Sequence, residues 1–132
     1  MERIITLKES IGKIKSAESI FSKIKEIKVD FCQENFLVFF LNTKLELIDV
    51  EILFKGGLNS CLIDPKTIFR KALLYNSNSI IVSHNHPSGD LTPSEEDQEI
   101  FKNLKEIGYL IGINVLDSII FNKTQFYSSA ED

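Results

Sequence analysis

An α/β domain is the architecture this sequence predicts, on three observations. Segments of strand and helix character alternate along the chain, which is the pattern of helices packed on one sheet. The apolar run inside "ENFLVFFLNT" reads as a buried strand. A length of 132 residues supports one hydrophobic core but not two, so residues 1–132 are read as a single domain.

The elements follow in order. "SAESIFSKIKEI" places Ile20, Phe21, Ile24 and Ile27 at helical spacing behind a serine, predicting a helix over about residues 17–28. The buried strand "ENFLVFFLNT" comes next, and the asparagine-threonine-lysine after it fits a hairpin turn. In "KLELIDVEILFKGG", Val50, Ile52 and Phe54 alternate with Glu51, Leu53 and Lys55, predicting a half-exposed strand that stops at Gly56-Gly57. "DPKTIFRKALLYN" carries a proline just after an aspartate and predicts a second helix. "NSIIVSHNH" is a short apolar strand, "TPSEEDQEIFKNLKEIGYLIG" a third helix, and "INVLDSIIF" and "TQFYS" two final strands. Thr92 and Glu95 have the spacing of a capping box, which would start the third helix with Pro93 at its first position.

Composition narrows the function classes. An apolar content of 43% with 26% charged residues belongs to an ordinary soluble globular chain. The longest apolar run, "FLVFFL", is far short of the ~18 residues of a membrane helix. The opening "MERIITLKES" lacks the apolar centre of a signal peptide, so a cytoplasmic protein with no membrane partner is expected. Cys32 and Cys61 are far apart and unmatched by further cysteines, which excludes a disulfide framework and a four-cysteine zinc site. Both are read as buried or half-buried thiols.

The net charge of −4 is uneven: residues 76–132 hold three Lys/Arg against nine Asp/Glu, whereas residues 1–75 carry a slight positive excess. An acidic half is wrong for tracking phosphates unless a bound cation offsets it, so nucleic acid is not an expected partner of this chain alone. The lysines of "KIKSAESIFSKIKEIK" alternate with apolar residues and glutamates, as on the solvated face of a helix.

The chemistry concentrates in "SHNHPSGDLTPSEED", which holds both histidines of the chain. Residues i and i+2 of a strand share a face, so His84 and His86 can aim at one point while Asn85 turns away. Pro87 ends the strand and Gly89 lets the loop fold back. Ser94 and Asp97 then fall three apart on the first turn of the third helix. Two imidazoles and one carboxylate leave a fourth position open, the pattern of a catalytic rather than a structural zinc. Each feature alone is commonplace: a histidine in a loop, a serine capping a helix, an acidic residue near its start. The joint spacing from His84 to Asp97 is long and structurally coherent.

That spacing resembles the H-x-H…S-x-x-D signature of the JAMM/MPN+ metallopeptidases, and more narrowly their RadC-like JAB branch. The similarity extends upstream to "EILFKGGLNSCLIDPKTIFRKAL" and downstream to "GYLIGINVLDSIIF", covering roughly residues 16–129. It implies a cytidine-deaminase-like (JAB/MPN) α/β sandwich with a mixed sheet flanked by helices. It also implies one zinc ion per chain held by His84, His86 and Asp97, a glutamate as general base, and a serine assisting the oxyanion. Glu51 is matched to the family's glutamate and Ser94 to its serine, with a peptide or protein as the substrate. Asp49 shares Glu51's strand face, whereas Glu46, an odd number of residues away, is expected on the other.

Some positions depart from the branch. Ser118 stands where a histidine is usual, "DPKT" where an arginine commonly follows the proline, and "KGG" where a threonine commonly follows the glycine. Longer members carry an N-terminal helix-hairpin-helix segment, and this sequence is expected to be a short form without it. Two other functions share the same residues: a non-catalytic zinc-binding interaction module, and a DNA-associated nuclease or repair-linked protein. The complete ligand set favours a hydrolase over the first, and the acidic second half disfavours the second. A cytosine deaminase is excluded by the lack of a P-C-x-x-C to complete its zinc site.

Overall fold

The computed structural model describes residues 16–57 and 62–131. β1 (Asn35–Leu41) is buried at all seven positions. Because successive strand residues point to opposite faces, this one apolar run feeds two cores. Leu37, Phe39 and Leu41 pack with α1 (Ala17–Ile24) on one face. Phe36, Val38 and Phe40 pack with α2 (Pro65–Leu74) and α3 (Glu95–Ile111) on the other. Phe39 and Phe40 are fully buried, and each such side chain removed from water contributes roughly 1.5–3 kcal/mol.

The strands β2 (Leu47–Lys55), β3 (Ser79–Asn85), β4 (Asn114–Phe121) and β5 (Phe126–Ser128) complete a five-stranded sheet in the order β2-β1-β3-β4-β5. β1 is antiparallel to both its neighbours, β3 and β4 are parallel, and β5 returns antiparallel. The sheet is therefore mixed and flanked by helices, as the resemblance implied. Among the described residues, no helix is long and apolar enough to cross a membrane.

Three expectations change in detail. The first helix ends at Ile24, with Ile27 buried in the turn that follows rather than on a longer helix. In β2 the strict alternation fails because two bulges intervene: Phe40 faces Asp49 while Leu41 faces Leu47, and Phe36 faces Phe54 while Leu37 faces Ile52. The extra residue at each step shifts side-chain parity. Phe54 thereby joins the α2/α3 face with Glu51, instead of the face of Val50 and Ile52. Cys32 is exposed rather than buried, and Cys61 lies outside the described residues.

α2 starts as the sequence predicts, with Pro65 at its first position and the Asp64 carboxylate accepting from the Lys66 N–H at 3.0 Å. α3 connects the parallel pair β3 and β4 and ends in a tight reversal. Gly112 takes φ 80°, and the Ile113 N–H bonds back to the Gly108 carbonyl at 2.9 Å. A Cβ on Gly108 would stand 2.2 Å from the Ile113 carbonyl oxygen. Backbone cannot yield there as a flexible side chain would, so Gly108→Ala is expected to cost about 1–3 kcal/mol. A urea midpoint equal to that of the unsubstituted protein would contradict this packing.

Candidate metal centre

β3 is the middle strand, paired on both sides, and its carboxyl end carries the histidines. His84 sits opposite Phe36 of β1 and Ile120 of β4, only 5% exposed. Its ring lies nearly parallel to that of Phe36, with centroids 6.3 Å apart. His86 follows two residues on, past the last rung, and its ring centroid is 5.0 Å from that of His84. Both imidazoles are on the α2/α3 face, and Asn85 between them turns to the other side.

The loop after β3 returns the third ligand. The Gly89 N–H bonds to the His86 carbonyl at 2.8 Å, closing a turn that needs the positive φ of 82° at Gly89. The Asn122 side chain donates to the Gly89 carbonyl at 3.0 Å and ties the loop to the end of β4. α3 then begins with Ser94, not Thr92, as its N-cap. Ser94 Oγ accepts from the Asp97 N–H at 3.0 Å, and Asp97 Oδ2 accepts from the Ser94 N–H at 2.9 Å. This reciprocal box is the one that forms because Asp97 fills the third helical position; Thr92 instead belongs to the turn at Asp90. Capping thus fixes Asp97 where it faces both histidines.

Asp97 Oδ1 lies 3.1 Å from His84 Nε2, and Oδ2 lies 3.0 Å from His86 Nε2. One ligand atom from each of the three residues lies within 4.8 Å of the others. Ligand atoms around a tetrahedral zinc, with bonds of ~2.0–2.1 Å, stand about 3.4 Å apart. His86 Nδ1 is 2.7 Å from the Asp90 carbonyl, the kind of outer bond that orients an imidazole able to bind a metal, and Nε2 is turned to Asp97. His84 Nε2 is buried, and its contact with Asp97 lacks hydrogen-bond alignment. A buried nitrogen without a proper partner is costly, and a cation among these three atoms would give it one. The donor set fits a divalent metal.

Electrostatically, His86 and Asp97 favour each other's charged forms. The hydrogen bond from Asp97 raises the pKa of His86 above its ordinary value; burial opposes this, and the Asp90 carbonyl and the charges of Asp97 and Glu34 support it. Burial pushes the Asp97 carboxyl up, but the contacts with His84 and His86 outweigh it and hold it well below the usual carboxylate range. In the metal-free protein a raised histidine pKa stabilises the fold fully below about pH 6.5 and loses that contribution as pH rises through the raised value. The depressed Asp97 contributes above about pH 4. Chelator-treated protein should therefore melt highest near pH 5–6 and lower as pH climbs past neutrality, whereas metal-loaded protein should gain stability over the same rise. Parallel melting curves for the two forms would contradict the assignment.

Residues 14–132 match the RadC-like JAB domain. The chain belongs to the RadC-like JAB family. It is 45% identical over 120 residues to the UPF0758 protein of Staphylococcus haemolyticus, an alignment covering 91% of this chain and 53% of that one. To the UPF0758 protein of Enterococcus faecalis it is 36% identical over 121 residues, covering 92% and 52%. A Staphylococcus aureus UPF0758 protein is 46% identical over 102 residues, 77% of this chain and 47% of that relative. The chain spans about half the length of these relatives.

Within this RadC-like domain, one expected site residue is elsewhere. Glu51 pairs with Val38, which pairs with Val82, so it lies two strands from β3 and two residues below the level of His84. At ~4.8 Å between strands and ~3.3 Å per residue, that is about 12 Å from His84. Its carboxylate is engaged there: Tyr75 Oη donates to it at 2.6 Å, and Lys71 Nζ is 3.4 Å away. Burial first, then the bond to Glu51, pushes the Tyr75 pKa far up, so the phenol keeps its proton. Asp49 shares this face and this phenol, and Glu46 is held in the hairpin by the Asn42 side chain.

The carboxylate the structure does bring to the His84–His86–Asp97 cluster is Glu34. The β1–β3 register, continued two residues beyond Phe36 opposite His84, puts Glu34 opposite His86 on the same face. Glu34 lines two cavities at the cluster. One is a small inner cavity of about 10 Å³, room for a single water, bounded by Phe36, His84, Asp97 and Ser118. The other is an outer recess of about 330 Å³ that it shares with His86, Ser94 and Asp97. Ser118 thus sits at the inner wall. Sequence reasoning missed Glu34; the signal that could have found it is its even spacing from Phe36, Val38 and Phe40, but only the β1–β3 pairing converts that parity into proximity.

Proposed function

We propose that this chain is a zinc-dependent hydrolase of peptide or isopeptide bonds. The observation that carries the reading is the buried, unsatisfied Nε2 of His84 inside a three-ligand cluster that opens onto cavities lined by Glu34 and Ser94. His84, His86 and Asp97 would hold the ion, which when bound supplies a Lewis acid that polarises a carbonyl and lowers the pKa of water to about 7. Glu34 takes the proton from the attacking water and returns it to the leaving amine. Ser94 Oγ already accepts the Asp97 N–H, so its own proton is free to be donated to the oxyanion that develops on the scissile carbonyl. The apolar inner wall formed by Phe36, Val82 and Phe101 keeps bulk water from the other side.

The test is metal analysis of the purified protein followed by a screen of quenched-fluorescence peptides. Cleavage that is lost with a chelator and restored by zinc supports the proposal. Full zinc occupancy with no cleavage in any library, under conditions where zinc restores folding stability, would favour a binding module. Ser94→Ala is expected to lower turnover by ~10²–10³-fold, the size of one lost oxyanion donor. It should also cost about 1 kcal/mol of stability through the lost cap. A stability loss without a rate loss would confine Ser94 to capping.

A further inference from the structure

We infer that Asn85, the residue between the two histidines, is a positioning residue that holds Glu34 over the metal centre. This rests on the reading of Glu34 as the base. β1 and β3 stop exchanging ladder bonds at the Phe36–His84 level, and Glu34 lies beyond that last rung. The backbone on both sides of it is held by one buried side chain. Asn85 Oδ1 accepts the Asn35 N–H at 2.8 Å and the Asn35 side-chain amide at 3.2 Å. Asn85 Nδ2 donates to the Gln33 carbonyl at 3.0 Å. The Asn35 amide also reaches the Gln33 and Asp30 carbonyls, at 3.0 and 2.8 Å, and the Gly56 N–H bonds the Glu34 carbonyl at 2.9 Å. Asn85 and Asn35 are both fully buried.

The amide is suited to this task. Holding Gln33 and Asn35 at once requires an acceptor and a donor side by side, which asparagine has and aspartate or serine lacks at that reach. Strand parity sends Asn85 away from the face of His84 and His86, so it touches neither the metal ligands nor the cavities. The same three-residue stretch therefore supplies two ligands from one face and, from the other, the clamp on the base. Motion of Glu34 by an ångström is enough to matter for a proton transfer.

Co²⁺ in place of zinc gives a readout independent of activity. In protein labelled with ¹³C at glutamate side-chain carboxyls, the Glu34 resonance is identified by its loss in Glu34→Gln. It should be strongly shifted or broadened by Co²⁺ in the unsubstituted protein. In Asn85→Ala that effect should fall sharply, with Co²⁺ stoichiometry retained and the other glutamates unchanged. Asn85→Asp keeps the acceptor for Asn35 and loses the donor to Gln33; it should move Glu34 in the same sense, and it decides the matter if Asn85→Ala does not fold. With any cleavable peptide, both variants should lose roughly 10–10²-fold in kcat with little change in KM. A Glu34 resonance untouched by Co²⁺ in the unsubstituted protein would remove Glu34 from the metal and take the proposed base and this clamp with it. A Co²⁺ effect on Glu34 that is the same with and without Asn85 would overturn the clamp alone.

Discussion

His84→Ala is expected to leave the purified protein with close to no bound metal, against about one zinc per chain in the unsubstituted protein. The expectation rests on where His84 sits. It is on the central strand, 5% exposed, with its ring backed by Phe36 and its Nε2 turned to Asp97. Among the described residues no other His, Cys, Asp or Glu joins this ligand group, and His86 with Asp97 alone make a two-ligand site open to water. The substitution also removes a buried nitrogen that has no aligned partner in the metal-free state, so the variant should melt close to the chelated unsubstituted protein. Zinc at a hundredfold over its Kd should stabilise the unsubstituted protein by about 2.7 kcal/mol and His84→Ala by almost nothing. Equal zinc content by elemental analysis, or equal stabilisation by added zinc, would place the metal elsewhere.

Much of this arrangement is legible in the sequence because it is local. His84 and His86 are two residues apart on one strand, and Ser94 and Asp97 are three apart at a helix start. Strand and helix periodicity alone gives each pair a common face. The loop between them is short enough to bring the two pairs together, and the structure does so. The buried character of β1 was equally plain, since a seven-residue apolar run has no polar face to offer water. What failed was non-local. The capping box settled on Ser94 and Asp97 rather than Thr92 and Glu95, because Asp97 gains both the Ser94 N–H and the histidines, and Glu95 gains neither. The alternation of β2 was broken by bulges at Ile48 and Leu53 that no propensity announces. The sequence reading chose Glu51, with Asp49 on its face and Glu46 on the other, and passed over Glu34, because the choice depends on strand order. Glu34, Asp49 and Glu51 all stand on one face of the sheet, and only the pairing of β1 with β3 shows which of them reaches the histidines.

That choice yields the second large effect. Glu34→Gln is expected to retain zinc and fold, while its turnover on any cleavable peptide falls by ~10²–10⁴-fold, the range of a lost general base. Glutamine keeps the shape of a half-buried side chain and loses only the capacity to take a proton. Glu51→Gln should do the opposite. It leaves turnover within a few-fold, because its carboxylate lies across two strands from His84 and is occupied by Tyr75 and Lys71. Its cost appears in stability instead, about 1 kcal/mol, since the Lys71 pair is partly exposed and the Tyr75 hydroxyl can still donate to the glutamine oxygen. Asp49→Asn should behave like Glu51→Gln, as both carboxylates serve the same phenol on the same face. The panel discriminates sharply because the two outcomes are read in different measurements, rate for Glu34 and melting for Glu51. Activity surviving in Glu34→Gln but lost in Glu51→Gln would mean that β2, not β1, delivers the base, and that the sheet order at this site is different from the one described.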